Sequence, residues 1–480
     1  MTFILYTIFL LSRLIFLTKL PIFNDEATTI HNANIFFQNP SVLYYLIPDG
    51  RGPLVPITTG ITQFLPLDPL VAARLLQILW GLIAFIATLA VGRILGFSAW
   101  LQKMLAVFLI TSPFLMFFDR LVLPNGFVAA IGMICLWVTL SLREKPTIGR
   151  GILLGLAIAT GWWYFSLILV LVPGLLAIVL LSEHIWRDWK KYLVAIGVGG
   201  IVFFLLIAPI LANPIYQQIT STSPKRFFSV QELGTFPVTK WLGTGVALLE
   251  WYVGYMTPIV FGLFLVGIFA MVKERKFRGL ALFTLFPILA IIFLVDATSA
   301  RNQQVIVPSM LLISVYGLGK IKWKQFVSIL AIITATAISV VAIVFPHALY
   351  DLFYYLPAAG GDTGQYTRGW PSGYGVKEAA DFLITESKKE PIAVFVRFDS
   401  GNPEDGMFVY LYRKNIPVAY VPASDPVGYV EKIHERYPHG VFYFVSRGSQ
   451  LGGLQGHLKE VIRFKKPNDS EFVGIYKIEI

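Results

Sequence analysis

Eleven apolar segments fill most of the first 346 residues, and they constrain the fold more than any other feature of the sequence. A membrane-spanning helix needs about 20 apolar residues, or fewer where short helices pack together inside protein. The chain has a mean hydropathy of +0.68 and only 14% charged residues, unlike a soluble domain. We therefore predict a mainly α-helical, polytopic transmembrane bundle of about 11 spans. The predicted spans lie near residues 2–18, 70–92, 104–118, 126–142, 151–164, 166–182, 192–211, 251–272, 279–295, 305–319 and 325–346.

Basic residues in the short loops predict the orientation of these spans. Five loops carry two, three, three, four and three Lys or Arg residues, near 93–103, 143–150, 183–191, 273–278 and 318–324. With eleven spans all five loops lie on one face, and cytoplasmic loops are enriched in Lys and Arg. We therefore predict a multi-pass protein of the cell membrane with a cytoplasmic N-terminus and an extracytoplasmic C-terminal region.

The formal net charge of +11 also comes from the basic residues of the membrane part. Residues 1–350 hold 24 Lys and Arg against 12 Asp and Glu, whereas residues 351–480 hold 15 against 16. Because the excess lies in the membrane part, we predict no nucleic-acid partner.

The first segment lacks the basic start and small-residue cleavage site of a signal peptide, so we interpret it as an anchor. Arg13 within it is expected to snorkel or to face the bundle interior.

The composition changes after residue 346 to that of a globular domain. The segments "IAVFVRF", "PVAYVPA", "GVFYFVS" and "FVGIYKIEI" have the pattern of strands, whereas "VKEAADFLITESKK" and "VGYVEKIHERY" have helical periodicity. We predict a transmembrane domain over 1–350, an external linker or active-site loop over 351–374, and a small α/β domain over 375–480. The last has no G-x-G-x-x-G fingerprint, so we assign it no nucleotide and expect a lid or acceptor-docking module.

Ionisable residues converge on the predicted outer side of the membrane, where they are informative about function. A site with carboxylates and several cations facing outward suits chemistry on an anionic lipid headgroup whose tail stays in the bilayer. The residues on this side are Asp25, Glu26, Asp49, Arg51, Asp119, Arg120, Lys225, Arg226 and Arg301.

The first outer loop carries a family resemblance. It reads "NDEATTIHNANIFF" and continues to "PDGRGPLVPITTGITQFL". These stretches resemble the GT-C membrane glycosyltransferases, specifically the protein O-mannosyltransferases and aminoarabinose transferases, which take a sugar from a polyprenyl-phosphate carrier. Asp25 and Glu26 match the Asp-Glu pair that the family carries after its first span. Arg51 in "RGPL" matches the basic residue before its Pro-Leu turn.

Three later stretches extend the resemblance over about residues 1–385. "SPFLMFFDRLVLPNGFVAAIG" is similar to the turn between the family's third and fourth spans, although Asn125 stands where the family often has Asp. "DATSARNQQVIVPSMLLISVYGL" resembles the late arginine-bearing turn and contains Arg301. "GGDTGQYTRGWPSGYGVKEAADFL" is similar to the entry into the external domain, and it places Tyr366 and Trp370 as candidate contacts of the sugar or acceptor.

The resemblance and the chemistry of the residues together imply roles. A positioned carboxylate that takes a hydroxyl proton accelerates transfer roughly 10²–10⁴-fold, and Asp25 is our candidate base with Glu26 as its support. Arg51, Arg120 and Arg301 are candidates to bind the donor phosphate, because arginine holds phosphate bidentately. Asp119 is a candidate sugar or acceptor contact, or simply an ion-pair partner of Arg120. A single base opposite the leaving group implies inversion at the anomeric carbon.

The predicted function is transfer of a hexose, with mannose as the candidate, from a polyprenyl-phosphate donor to a protein, lipid or glycan acceptor at the outer face. For Asp25 and Glu26 the structural alternative is capping of a surface helix. His31 lies five residues after Glu26, off the four-residue spacing of one helical face. No cofactor is firmly predicted and no metal ligand is assigned, although the resemblance leaves a divalent ion open. The alternatives are a transporter or lipid flippase with an external domain, and a ligase that moves a lipid-linked polymer.

Overall fold

Helices form wherever the sequence is continuously apolar, because a backbone in lipid must satisfy its hydrogen bonds within the segment. The computed structural model describes residues 2–46, 51–183, 185–222, 227–296, 298–353, 359–467 and 471–479. The helices up to residue 344 are α1 (Thr2–Leu14), α2 (Asn24–Gln38), α3 (Leu54–Thr62), α4 (Pro69–Ile94), α5 (Ala99–Thr111), α6 (Pro113–Phe118), α7 (Pro124–Glu144), α8 (Ile148–Tyr164), α9 (Val172–Leu180), α10 (Ile185–Leu211), α11 (Pro214–Thr222), α12 (Val230–Gly234), α13 (Val238–Met256), α14 (Pro258–Lys273), α15 (Arg278–Leu294), α16 (Val307–Leu318) and α17 (Lys324–Val344).

Each predicted span coincides with one of these helices or with a consecutive pair. Within the described residues, α4, α7, α10 and α17 are long and apolar enough to cross a membrane by themselves. The bent pair α13 and α14 would be a fifth crossing, and five further apolar helices have 10–17 residues. The fold is therefore a mainly helical membrane bundle, as predicted.

The segment predicted as one span over 251–272 is not a single straight helix. The structure has two helices there, α13 and α14, which meet at Thr257 with a bend of 116°. Thr257 has a φ of 73°, and Pro258 follows at the first position of α14, where its missing N–H breaks no helical bond. The Thr257 hydroxyl accepts a hydrogen bond from the Val260 N–H at 3.4 Å, so this residue caps the second helix.

The contacts within the chain divide it into two compact units. Unit 1 comprises Met1–Ile15, Asn39–Thr58 and Leu75–Ile343, and unit 2 comprises Phe16–Gln38, Thr59–Arg74 and Val344–Ile480. The helix that follows the first apolar segment, α2, thus belongs to the same unit as the C-terminal region. The boundaries predicted at 350 and 374 remain predictions, and residues 354–358 of the predicted linker lie outside the described part of the chain.

Glycines allow pairs of helices in unit 1 to pack backbone against backbone. A Cβ on Gly155 would lie 2.2 Å from the Gly199 carbonyl oxygen, which joins α8 to α10. A Cβ on Gly267 would lie 2.2 Å from the Ile313 carbonyl oxygen, which joins α14 to α16. Small residues at such contacts are typical of membrane helix pairs.

The C-terminal part of unit 2 is a five-stranded sheet with helices. The strands are β1 (Ile392–Arg397), β2 (Val418–Val421), β3 (Val441–Arg447), β4 (Leu458–Lys465) and β5 (Phe472–Ile478), and the remaining helices are α18 (Pro346–Phe353), α19 (Ala359–Thr363), α20 (Val376–Glu386), α21 (Glu404–Leu411) and α22 (Pro426–Arg436). The strand order is β2-β1-β3-β5-β4. The β1–β2 and β1–β3 pairs are parallel, and the β3–β5 and β4–β5 pairs are antiparallel.

Four of these strands and the helices α20 and α22 lie where the sequence predicts them. Strand β4 and helix α21 were not predicted. Strand β4 is an edge strand with several charged residues and little burial, so its sequence lacks the apolar run of an interior strand. A sheet core of buried residues, including Phe395, Val430 and Phe444, lies beneath α22.

Candidate functional site

The first turn of α2 carries both acidic residues of the first loop. The Ala27 N–H donates to the Phe23 carbonyl at 2.9 Å, so the helical bonding begins at Phe23. Three residues later, the Glu26 carboxylate accepts a hydrogen bond from the Phe23 N–H at 2.8 Å. This is the return bond of a capping box, in which an acid at the third helical position satisfies the backbone before the helix. Glu26 is thus the capping residue, rather than Asn24 or Asp25.

Glu26 is also the partner of a buried arginine. Arg74 donates from Nε to Glu26 Oε1 at 2.9 Å and from Nη2 to Oε2 at 2.6 Å, and both side chains are at most 1% exposed. The remaining guanidinium bonds go to the carbonyls of Leu17 at 2.6 Å, Leu20 at 2.8 Å and Pro21 at 3.2 Å. Glu26 and Arg74 therefore fix the segment that leads into α2.

Asp25 is partly exposed, in contrast to its neighbour. The Asn24 side chain donates to Asp25 Oδ1 at 3.3 Å, and the Thr29 hydroxyl donates to the Asp25 carbonyl at 2.6 Å. The capping and buried ion-pairing roles fall to Glu26. Of the two acidic residues, only Asp25 is partly exposed to solvent.

A loop of the C-terminal region, residues 399–405, contacts the start of α2 within unit 2. The Asn402 side chain donates to the carbonyls of Ile22 at 2.8 Å and Pro371 at 3.0 Å. The Asn24 N–H donates to the same Pro371 carbonyl at 2.9 Å. Gly401 has a φ of +108°, and a Cβ there would lie 1.5 Å from Asn24 Oδ1, so only glycine fits this approach.

A second connection runs through Asp405, which is 3% exposed. His31 Nδ1 lies 2.7 Å from Asp405 Oδ1, and the hydroxyls of Thr28 and Tyr420 donate to the carboxylate at 2.7 Å and 2.9 Å. The His31 ring stacks on Phe408 at 4.2 Å. Burial acts to raise the pKa of Asp405, but the bonds from His31, Thr28 and the Gly401 N–H hold that pKa below its ordinary value. Asp405 thereby joins α2 to α21.

The two aromatic candidates differ in exposure. Tyr366 is 2% exposed and packs against Phe23 at 4.8 Å and Tyr350 at 5.5 Å between ring centroids. This burial favours a packing role, and its contact with a sugar remains a prediction. Trp370 is 39% exposed, and the Arg447 guanidinium lies 4.1 Å from its ring centroid. A partly exposed ring fixed by a cation is suited to contact a substrate.

Lys466, at the end of β4, fixes the segment that carries Trp370. Its ammonium donates to the carbonyls of Gly369 at 2.9 Å, Trp370 at 3.1 Å and Ser372 at 2.9 Å, and the residue is 4% exposed. Burial lowers the pKa of Lys466 to about 8, while Glu471 opposes the shift.

The predicted phosphate-binding arginines belong to unit 1. Arg51 pairs with Phe165 in an isolated antiparallel bridge, and the Gly52 N–H donates to the Tyr164 carbonyl at 2.8 Å. A Cβ on Gly52 would lie 1.9 Å from the Trp163 carbonyl oxygen. The "RGPL" turn is therefore seated directly on the end of α8, and the aromatic segment there serves as its support.

Asp119 and Arg120 lie at the end of α6 and are both buried. Asp119 Oδ2 is 3.5 Å from the Arg13 guanidinium, and Gln304 donates to Oδ1 at 3.0 Å. Arg13 is fully buried, so the expectation that it faces the bundle interior is confirmed. Arg120 donates to the Ile15 carbonyl at 2.9 Å. Asp119 thus pairs with Arg13, a partner that the sequence did not indicate.

Asn125 links the same turn to the late arginine. Its side chain donates to the Arg301 carbonyl at 2.7 Å and to Asn302 Oδ1 at 3.1 Å. An amide donates where a carboxylate cannot, which explains how Asn at this position holds the turn over Ala300–Val305. The structure thereby brings together Asp119, Arg120 and the Arg301 turn within unit 1.

The sequence analysis missed the residues that position α2. Arg74 lies inside a predicted span, and Asn402, Asp405, Arg447 and Lys466 lie in a region expected to be a lid. Among the described residues, no three His, Cys, Asp or Glu side chains form a group that could hold a metal ion. Asp49, Lys225 and Arg226 lie outside the described residues.

Comparisons with known proteins give a likeness of fold. No family model matches the chain, and no curated protein matches its sequence. The crystal structure of ArnT from Cupriavidus metallidurans bound to undecaprenyl phosphate matches with a TM-score of 0.62 and 14% identity, covering 99% of this chain and 97% of that one. The apo structure of the same ArnT gives a TM-score of 0.63. An oligosaccharyltransferase from Archaeoglobus fulgidus matches at 13% identity and a TM-score of 0.49, over 92% of this chain and 68% of that one. Over almost its whole length, the chain therefore has the fold of the GT-C membrane glycosyltransferases.

Proposed function

We propose that this protein is an integral-membrane glycosyltransferase that moves a sugar from a polyprenyl-phosphate donor to an acceptor at the outer face of the membrane. The observation that carries the proposal is the fold match to ArnT, which was solved with undecaprenyl phosphate, over 99% of this chain. The position of Asp25 supports the same function. This residue is a partly exposed carboxylate on a helix turn that Glu26, Arg74 and Asn402 hold in place.

The proposed mechanism uses Asp25 as the general base. Asp25 takes the proton of the acceptor hydroxyl as the oxygen attacks the anomeric carbon, and the polyprenyl phosphate leaves from the opposite face. Arg51, Arg120 and Arg301 stabilise the negative charge that develops on the phosphate. Glu26 positions the base through the helix cap, and Trp370 contacts the sugar or acceptor. Because one base acts and no carboxylate forms a covalent intermediate, the anomeric configuration inverts.

The contacts of α2 support an outer location for the proposed site. Asp405 binds Thr28 and His31, which supports the proposal that α2 and the C-terminal region lie on the same side of the membrane. The basic residues of the loops near 143–150 and 273–278 predict that these loops are cytoplasmic. We therefore propose a cytoplasmic N-terminus, an extracytoplasmic C-terminal domain, and transfer in the outer leaflet. A hexose donor, with mannose first, is the proposed substrate.

The test compares transfer by membranes that contain the wild type or Asp25→Asn, with labelled polyprenyl-phosphate sugars. Loss of the base should lower turnover by about 10²–10⁴-fold with little change in thermal stability. Asp425→Asn is the matched control, because it neutralises an exposed carboxylate of unit 2 and asparagine also caps helices well. Equal turnover by wild type and Asp25→Asn would end the base assignment. If no polyprenyl-phosphate sugar is consumed, the transport alternative is favoured.

A further inference from the structure

Unit 2 contains a cavity of about 700 Å³ that the proposed transfer reaction does not use. This volume lies in the range of small-molecule binding sites. Its wall comes from the segment after α1, the starts of α4, α18 and α20, and the last turn of α21. None of the residues proposed for base catalysis, phosphate binding or sugar contact lines it.

A lysine and a histidine line the cavity, each just after an apolar helix of the chain. Lys19 follows α1, and His347 follows α17. Both residues are exposed, and within the described ranges neither side chain has a hydrogen bond or an ion pair. Residues just beyond a spanning helix lie at the level of lipid headgroups, where basic side chains meet phosphate.

The cavity lining also contains one acidic and one aromatic side chain near the start of α20. Glu378 is exposed and has no ion pair among the described residues. Its negative charge interacts with the hydroxyl group of Tyr374. Burial raises the pKa of Tyr374 to about 12, so its hydroxyl remains a donor. A carboxylate with aromatic rings is the combination that binds an ammonium group.

The other charged groups of the lining are already engaged. Lys377 pairs with Asp381 at 2.8 Å, and its ammonium lies 4.9 Å from the Tyr410 ring centroid. Asp68 accepts hydrogen bonds from the Leu70 and Val71 N–H groups at 2.9 Å and 3.4 Å, as the cap of α4. Among the described residues, the cavity therefore offers an unpaired ammonium after α1, an unpaired imidazole after α17 and an unpaired carboxylate from α20.

We propose that this cavity binds the phosphoethanolamine headgroup of a membrane phospholipid. Lys19 and His347 contact the phosphate, which in a phospholipid lies next to the acyl chains. Glu378 and Tyr374 contact the primary ammonium at the distal end of the headgroup. Phe16, which is 56% exposed, and Leu70 lie beside the glycerol and the first acyl carbons. The site thus has phosphate-binding groups near the acyl chains and ammonium-binding groups farther away, which is the order of the charges in this zwitterionic headgroup.

The test measures lipid affinity on the delipidated full-length protein in detergent, by native mass spectrometry. The lipids are phosphatidylethanolamine, phosphatidylglycerol and phosphatidylcholine, and free O-phosphoethanolamine serves as the soluble comparison. We expect at least about tenfold tighter binding of phosphatidylethanolamine than of the other two lipids, the effect of one or two charge-assisted hydrogen bonds. Equal affinity for all three lipids would overturn the proposal. If O-phosphoethanolamine binds as tightly as phosphatidylethanolamine, the claim that the ligand is a lipid would be overturned.

Variants separate the two ends of the site. Lys19→Gln with His347→Gln should weaken binding of both phosphatidylethanolamine and phosphatidylglycerol. Glu378→Gln should lower only the affinity for phosphatidylethanolamine, down to that for phosphatidylglycerol. Lys432→Gln and Glu435→Gln, on the exposed face of α22, are the matched controls and should change nothing. Unchanged phosphatidylethanolamine affinity in the cavity variants would overturn the assignment, and because no transfer is measured, the result is independent of the proposed function.

Discussion

Two adjacent carboxylates on α2 have different surroundings. Glu26 is fully buried and accepts hydrogen bonds from Arg74 and the Phe23 N–H, whereas Asp25 is partly exposed. The capping interpretation therefore applies to Glu26, whereas the catalytic role of Asp25 stays a proposal. A spacing of one residue was enough to put the two side chains in different environments, because neighbouring residues on a helix point about 100° apart.

The Glu26→Gln substitution should destabilise the protein strongly. It leaves the Arg74 charge buried without a counter-charge, and such losses cost about 3–5 kcal/mol of unfolding free energy. Unfolding in detergent, followed by denaturant titration, measures the effect. Glu386→Gln is the control, because its exposed pair with Lys389 is expected to contribute about 0–1 kcal/mol. A loss at Glu26 no larger than that at Glu386 would contradict the role of the buried pair.

Among the secondary-structure elements, the end of a helix and the end of a strand support the segments that carry Arg51 and Trp370. The "RGPL" turn rests on the end of α8 through Gly52, and the loop that carries Trp370 is held by Lys466 at the end of β4. Both supports act on backbone atoms, so the sequence of the supported segment does not reveal them. Strand β4 went unpredicted for a related reason, since it alternates charged residues at a sheet edge and lacks an apolar run.

Substituting Gly52 by alanine should lower transfer activity. The added Cβ would lie 1.9 Å from the Trp163 carbonyl oxygen, so the turn must move and Arg51 with it. The expected result is a higher KM for the donor, measured with a polyprenyl-phosphate sugar. Gly149→Ala in the first turn of α8 has open space around it and should leave the KM unchanged. Equal KM values for the two variants would show that the turn does not position Arg51.

The buried Lys466 should make stability depend on pH in the alkaline range. Its folded pKa of about 8 lies below the ordinary 10.5, so between these values the unfolded chain binds more protons and stability rises with pH. The rise is at most about 1.4 kcal/mol per pH unit. Denaturant unfolding of the wild type and Lys466→Met from pH 7.5 to 10 checks it. The difference should grow in favour of the wild type, and a difference that is constant across this range would refute the buried charge.

The compact units of the whole molecule are assembled from stretches that are far apart in the sequence. Unit 2 is assembled from three separate stretches, and α2 belongs with the C-terminal region by contacts through Asn402 and Asp405. The sequence predicts the membrane bundle well, because apolar length alone locates the helices. The roles of Asp25 and Glu26 in catalysis rest on the resemblance to a family pattern and stay predictions. It does not predict Asp405, because a contact across 377 residues leaves no local signal.

Loss of the Asp405 carboxylate should loosen α2 and α21 together. Asp405→Asn removes the negative charge that accepts bonds from Thr28, His31 and Tyr420. Hydrogen exchange followed by mass spectrometry should show faster exchange in peptides of both helices. Asp425→Asn, at the cap of α22, should affect at most that helix. Faster exchange confined to α21 would argue against a shared anchor.

The division of unit 2 along the chain also sets an order of events during synthesis. Thr28 leaves the ribosome 377 residues before its partner Asp405, which at about 5–20 residues per second is a delay of roughly 20–75 s. Throughout that interval the helix bearing Asp25 has its cap and its Glu26–Arg74 pair but lacks its bonds to Asp405. The support that Asp405 gives to the helix of the proposed base therefore forms only after most of the transmembrane helices have been made.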